Sequence, residues 1–121
     1  MATTSTRIIT LGFSDTTNNN DSTTQFAAAS NGASPEFNAF VTLASGANTF
    51  TKPAGGSTPV AVTIIPPVGN VVLITLKGVT GDTGIPLHPT DPTTIAVDPA
   101  TFASFVLTAA SQVLGVRLIW S

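Results

Sequence analysis

The sequence predicts an all-β chain folded as a single β-sandwich with jelly-roll-like connections. Three observations carry that expectation. Short β-branched and apolar runs alternate with turn residues at roughly eight-to-twelve-residue spacing, giving about seven to nine strands. Nine prolines and ten glycines punctuate those runs. Outside residues 26–44 no amphipathic stretch reaches the ten or so residues of a packed helix. The 121 residues, 42% of them apolar, suit one domain with one core. No cysteine or tyrosine is present, which removes the immunoglobulin hallmarks and leaves the jelly roll as the preferred sandwich.

Residues 1–25 read as a polar N-terminal arm. Arg7-Ile8-Ile9-Thr10-Leu11-Gly12-Phe13 suits a short strand over 7–13. Asp15 to Thr24 contains no apolar side chain, so it has little to offset the entropy of ordering and reads as a mobile loop. The sandwich then occupies 26–121. Phe26 to Ser30 fits a helical turn or a strand, and Pro35 to Ala44 fits a strand or a short helix; period alone does not separate them. Thr49-Phe50-Thr51 and Val60 to Ile64 read as strands, the second stopped by Pro66-Pro67. Val71 to Lys77 reads as a central strand with Val72, Ile74 and Leu76 on one face. Gly78 to Pro99 is a chain of turns around the extended piece Thr93 to Val97, because residues before proline are pushed to extended dihedrals. Phe102 to Thr108 and Val113 to Trp120 alternate as strands, the last with Leu114, Val116, Leu118 and Trp120 facing one way. Arg117, alone among apolar neighbours, marks a solvent or interface face. The seven phenylalanines read as core.

Charged residues make up 8% of the chain, against roughly 25% in an average soluble domain. Four basic and six acidic side chains exclude a basic nucleic-acid binder and a charge-rich tail. Without cysteine and with one histidine, thiolate zinc sites and histidine clusters are excluded as well. The uninterrupted apolar runs are too short for a membrane helix. Met1 to Thr6 is polar and small, so no leader peptide is expected.

Few motifs carry chemistry. Asp82-Thr83-Gly84 matches the tripeptide of aspartic proteases, whose mechanism needs two aspartates sharing a proton. Here it follows the polar turn Gly78-Val79-Thr80-Gly81 instead of an apolar strand. Val113-Leu114-Gly115 offers the later apolar-apolar-glycine signature, with too little chain between for a flap. An aspartate–glycine turn is the simpler account. The glycines at 78, 81 and 84 follow the triplet spacing of collagen over too short a stretch, and turns explain them. Asn20-Asp21-Ser22 matches a glycosylation acceptor in a stretch where chance supplies one. Asp15 to Asp21 is oxygen-rich but lacks the bend glycine and closing glutamate of a calcium loop. His88 near Asp91 has no nucleophile beside it, and His88-Pro89 and Asp91-Pro92 describe a rigid connection. Trp120 could stack on a sugar, although sugar sites usually present several such rings; plugging the sandwich or an interface is the simpler role. The reading is therefore of a non-enzyme: no catalytic, cofactor-binding or metal-ligating residue is assigned, and no cofactor.

Low charge density and positive mean hydropathy (+0.39) suit a domain packed against copies of itself or a scaffold, because neutral surfaces lose less on desolvation. The Thr/Ser/Asn-rich start, the segment Asn70-Val-Val-Leu-Ile-Thr-Leu-Lys-Gly-Val-Thr-Gly-Asp-Thr-Gly84 and the ending Val116-Arg-Leu-Ile-Trp-Ser121 resemble small virion proteins of tailed bacteriophages, the capsid decoration (cement) proteins and fibre domains. That resemblance implies a jelly-roll-like fold, a homo-oligomer (often a trimer) and docking onto the major capsid protein at the capsid surface, with neither nucleic acid nor membrane as partner. Contacts are expected first in Met1 to Gln25 and Gly78 to Pro99. Two alternatives stay open: a host-surface or glycan-binding module using Trp120, and a dimeric aspartic protease using Asp82.

Overall fold

The computed structural model describes residues 3–13, 22–32, 38–54 and 58–121. Ten strands are found there and no helix: β1 (Thr3–Phe13), β2 (Ser22–Gly32), β3 (Asn38–Leu43), β4 (Gly46–Thr51), β5 (Ala61–Ile65), β6 (Ile74–Lys77), β7 (Ile85–Pro86), β8 (Thr93–Ala96), β9 (Ser104–Ala109) and β10 (Val113–Trp120). Two four-stranded sheets, ordered β3-β10-β5-β8 and β4-β9-β6-β7, stack into a β-sandwich. Every ladder is antiparallel. The chain order is that of one long double-stranded ribbon, β3 to β6 running against β10 to β7, with β3·β10, β4·β9, β5·β8 and β6·β7 as its rungs. Rolling this ribbon adds the pairs β10·β5 and β6·β9.

Inward positions follow the period of two. Leu43, Val62, Ile64, Ile74, Leu107 and Val116 are at most 1% exposed, and each such side chain stabilises the fold by about 1.5–3 kcal/mol through burial. Phe105 pairs with Phe50 across the β4·β9 ladder, their rings 5.6 Å apart, and Trp120 lies 5.7 Å from Phe105 and 6.1 Å from Phe102. Such aromatic contacts add to area burial. Gly84 is required where it stands: φ is +80°, and a Cβ there would lie 2.7 Å from the Leu76 carbonyl oxygen.

Several sequence expectations are corrected. The strand expected over 7–13 begins at Thr3. Of the loop expected over 15–24, residues 15–21 lie outside the described residues, and residues 22–24 form the start of β2. Phe26 to Ser30 and Asn38 to Leu43 are strands because each finds a ladder, with β1 and β10 respectively; local pattern had left both undecided. β1 and β2 pair with each other and with neither sheet of the sandwich, so a boundary after residue 25 falls inside β2. Val71 to Leu73 precede β6, since Asn70 diverts the backbone: its Oδ1 accepts from the Val72 N–H (3.1 Å) and its Nδ2 donates to the Pro89 carbonyl (2.8 Å). In β10, Val113 is buried and Leu114 exposed, the reverse of the alternation expected. The β3 register shifts between Val113 and Val116, and Gly115 at φ +78° accommodates the bulge that changes the parity.

Candidate interaction surface

The two sheets carry different outer faces. On the β3-β10-β5-β8 sheet, Arg117 lies between Phe40 and Ile65 in register, and Ile119 lies between Asn38 and Thr63. Phe40 is 73% exposed and Leu114, turned outward by the bulge, 64%. Arg117 is the one charge in these rows. Its guanidinium carbon sits 5.6 Å from the Phe40 ring centroid, and its Nε donates to Asn38 Oδ1 at 2.8 Å. The cation is thus held flat on the sheet by an aromatic ring and an amide, an arrangement worth about 0.5–1 kcal/mol at exposed sites. Aromatic residues and arginine with few other charges are the composition that protein interfaces favour.

The β4-β9-β6-β7 sheet is coated differently. Thr49, Val106 and Lys77 form one row, and Ala47, Thr108, Thr75 and Pro86 another. Its one outward valine, Val106, is 3% exposed. The connection between β5 and β6 adds apolar exposure at one end of the sandwich, where Val71 is 90% exposed.

A cavity opens at each lateral seam. One of about 370 Å³ is lined by Leu76, Ile85, Ile95 and Phe102 together with Lys77 and Asp82. The other, about 290 Å³, lies between β3 and β4 and is lined by Val41, Thr49, Phe50, Leu118 and Trp120.

The residues singled out in the sequence do not converge. Asp82 caps its own turn, its Oδ2 accepting from the N–H groups of Gly78 (3.1 Å) and Val79 (2.9 Å); Val113-Leu114-Gly115 lies at the other end of the sandwich. His88 Nδ1 accepts from the N–H groups of Asp91 (2.9 Å) and Thr90 (3.2 Å), so that ring nitrogen is spent holding the 88–91 turn. Trp120 is 2% exposed, packed against Phe102 and Phe105 at the inner end of the β3/β4 cavity, so it does not stand on the surface as a sugar-stacking ring would. Asp15, Asn20 and Asp21 lie outside the described residues. Among the described residues no group of three His, Asp or Glu side chains could hold a metal, and no helix is long and apolar enough to cross a membrane. The Asp98 carboxylate closes a turn, accepting from the Thr101 hydroxyl (2.7 Å) and the Ala100 N–H (3.4 Å). The first of these bonds above all holds its pKa below the ordinary 3.8.

Sequence reasoning placed Arg117 on an outward face, and there it stands. It missed Phe40, read as core with the other phenylalanines; the signal available was the alternation Phe40/Thr42 against Val41/Leu43, usable only once residues 38–43 are known to be a strand. It also missed Asn38 as the partner of Arg117, 79 residues away. No family model, characterised protein or solved structure matches the chain.

Proposed function

We propose that the chain is a structural virion protein that self-associates and packs onto a capsid surface, stabilising the particle in the manner of a decoration protein. The observation that carries this reading is the outer face of the β3-β10-β5-β8 sheet, where Phe40 and Leu114 stand in solvent beside an arginine already held by its own neighbours. A face of that kind gains from being covered by protein and loses little charge hydration when it is. The virion assignment itself rests on the resemblance in sequence make-up. The rolled double ribbon supports a jelly-roll arrangement, the fold that resemblance implies. The burial of Trp120 and the self-satisfied carboxylate of Asp82 lend no weight to the glycan-binding and protease alternatives.

Light scattering on the eluting protein, with co-sedimentation against phage capsids, tests the reading. The wild-type chain is expected to run as an oligomer and to pellet with capsids, and Phe40→Asp is expected to lose both while staying folded. A wild-type monomer that stays in the supernatant would overturn it.

A further inference from the structure

Two surfaces of the sandwich each set one charge beside exposed apolar side chains, and the two charges are opposite. The first is the outer face of the β3-β10-β5-β8 sheet. Asn38 takes the Nε N–H of Arg117, and the Phe40 ring lies under the guanidinium carbon. Among the described residues no carboxylate pairs with this cation. Its Nη1 and Nη2 have no partner there and are not buried, so the end-on fork that fits a carboxylate is left open. The second surface is the end of the sandwich around the β5–β6 connection, where Val68 and Val71 stand out in solvent. The Asn70 N–H donates to the Pro67 carbonyl (3.1 Å) and Asn70 Nδ2 to the Val72 carbonyl (3.0 Å), which holds that loop in shape. Asn70 Nδ2 also fastens the loop to the 88–91 turn through the Pro89 carbonyl (2.8 Å). That turn carries Asp91, its side chain 75% exposed. His88 Nδ1, 3.7 Å from the carboxylate, already accepts from two N–H groups and offers it no proton. Asp82 and Asp98 are spent on their own turns. Lys52 donates to the Pro99 carbonyl (2.8 Å), and Lys77 stands in a row with Val106 and Thr49.

We infer that the Arg117 face of one copy packs on the Asp91 end of the next, with the Asp91 carboxylate seated on Nη1 and Nη2 of Arg117 and with Val68 and Val71 against Phe40 and Leu114. The inference rests on the self-association reading and names its contact. Arg117 lies between Phe40 and Ile65 in register, so a partner that covers the apolar side chains covers the cation as well. Covering a cation without a counter-charge is costly, and a carboxylate on the partner offsets that cost. The same face of a second copy cannot supply one, because a two-fold pairing sets cation toward cation. A phosphodiester chain would find a single cation among apolar groups, too little charge to hold it. Asp91 is the described carboxylate left open for the role, and it too borders on exposed apolar side chains. Both groups are already ordered by their own neighbours, Arg117 by Asn38 and Phe40 and the 88–91 turn by Asn70, so little freedom is lost on contact. A contact between two different surfaces runs head to tail. It closes into a ring when the rotation between copies allows, as in the trimer that the resemblance implies.

Light scattering on the full-length chain tests this, with thermal melting as the check on folding. Arg117→Glu and Asp91→Arg are each expected to lower the mass to that of a monomer without loss of folding, and the double variant is expected to regain the wild-type mass. Lys77→Glu should leave the mass unchanged. The chain has no cysteine, so an equimolar mixture of Asp91→Cys and Arg117→Cys chains should cross-link under mild oxidation, whereas neither alone should. That measurement decides the matter if a charge variant fails to fold. An oligomer that survives Asp91→Arg, or a mass lost in both single variants and not regained in the double, overturns the inference while leaving self-association standing. So does a mixture that cross-links no more than its components. Capsid pelleting lost in Arg117→Glu while the oligomer persists overturns it in favour of a carboxylate on the capsid. A chain monomeric at every concentration overturns the inference, and if it also fails to pellet with capsids the reading beneath falls too.

Discussion

The two outer faces of the sandwich share one core and differ in what they offer to solvent. The rows of the β4-β9-β6-β7 face hold threonine, alanine, one proline and one lysine, with Val106 tucked between Thr49 and Lys77. The β3-β10-β5-β8 face presents Phe40, Ile65, Ile119 and Leu114 around a single tethered arginine. Both faces are the outward positions of alternating strands, so hydrophobic pattern does not separate them. What separates them is whether an outward apolar side chain is covered by its own neighbours: Val106 is, Phe40 is not. An uncovered aromatic residue contributes little to the fold through burial, and under the proposed function it is the residue that meets the neighbouring protein.

The largest expected effect concerns the bulge that adds Leu114 to the apolar face. Val113→Asp places an uncompensated charge in the core and should cost roughly 3–5 kcal/mol of unfolding free energy, whereas Leu114→Asp should stay within about 0.5 kcal/mol. Urea titration of both variants decides it, and equal losses would mean that β10 runs without the parity change. Next comes the contrast between the two outward residues. Val106→Ala should lose about 1–2 kcal/mol in the same titration, a fraction of the cost of a full core truncation. Phe40→Ala should cost no more than the cation–π contact, about 0.5–1 kcal/mol, yet weaken self-association. If Phe40→Ala destabilises as much as Val106→Ala, the distinction between a structural and a contact residue collapses.

The smallest effect lies at the end of the sandwich and is read through pH. Asp98 is more acidic folded than unfolded, because the folded chain bonds its ionised form. The stabilisation is therefore present above the ordinary carboxylate value near 3.8 and is lost as pH falls through the lower folded value. The carboxylate is exposed, so the change is small. Comparing wild type with Asp98→Asn by thermal melting from pH 6 to pH 2 should show the two curves converging below about pH 4; parallel curves would refute the linkage.

The class of fold was legible in the sequence, and the reasons are local. Val60 to Ile64 and Val113 to Trp120 alternate because one face must be buried, and proline and glycine stop the runs because they cannot continue a ladder. The absence of cysteine and the shortage of charge were equally plain. The candidate surface was only half visible. Arg117 stood out as one cation among apolar neighbours. Phe40 did not, because Pro35 to Ala44 suits a helix as well as a strand until β10 supplies hydrogen-bond partners. The boundary at Ile74 depended on Asn70 taking the Val72 N–H for itself, a side-chain choice that propensity does not encode.

By itself the sequence determined that strands form, roughly where most of them lie, and that the exterior is nearly uncharged, since those properties follow from side-chain type and spacing along a few residues. Tertiary structure alone decided which strands became edges, which outward side chains were covered, and that the bulge at Gly115 turned Leu114 outward. Those outcomes depend on partners tens of residues apart, where the free energy of a ladder and a shared core outweighs any local preference.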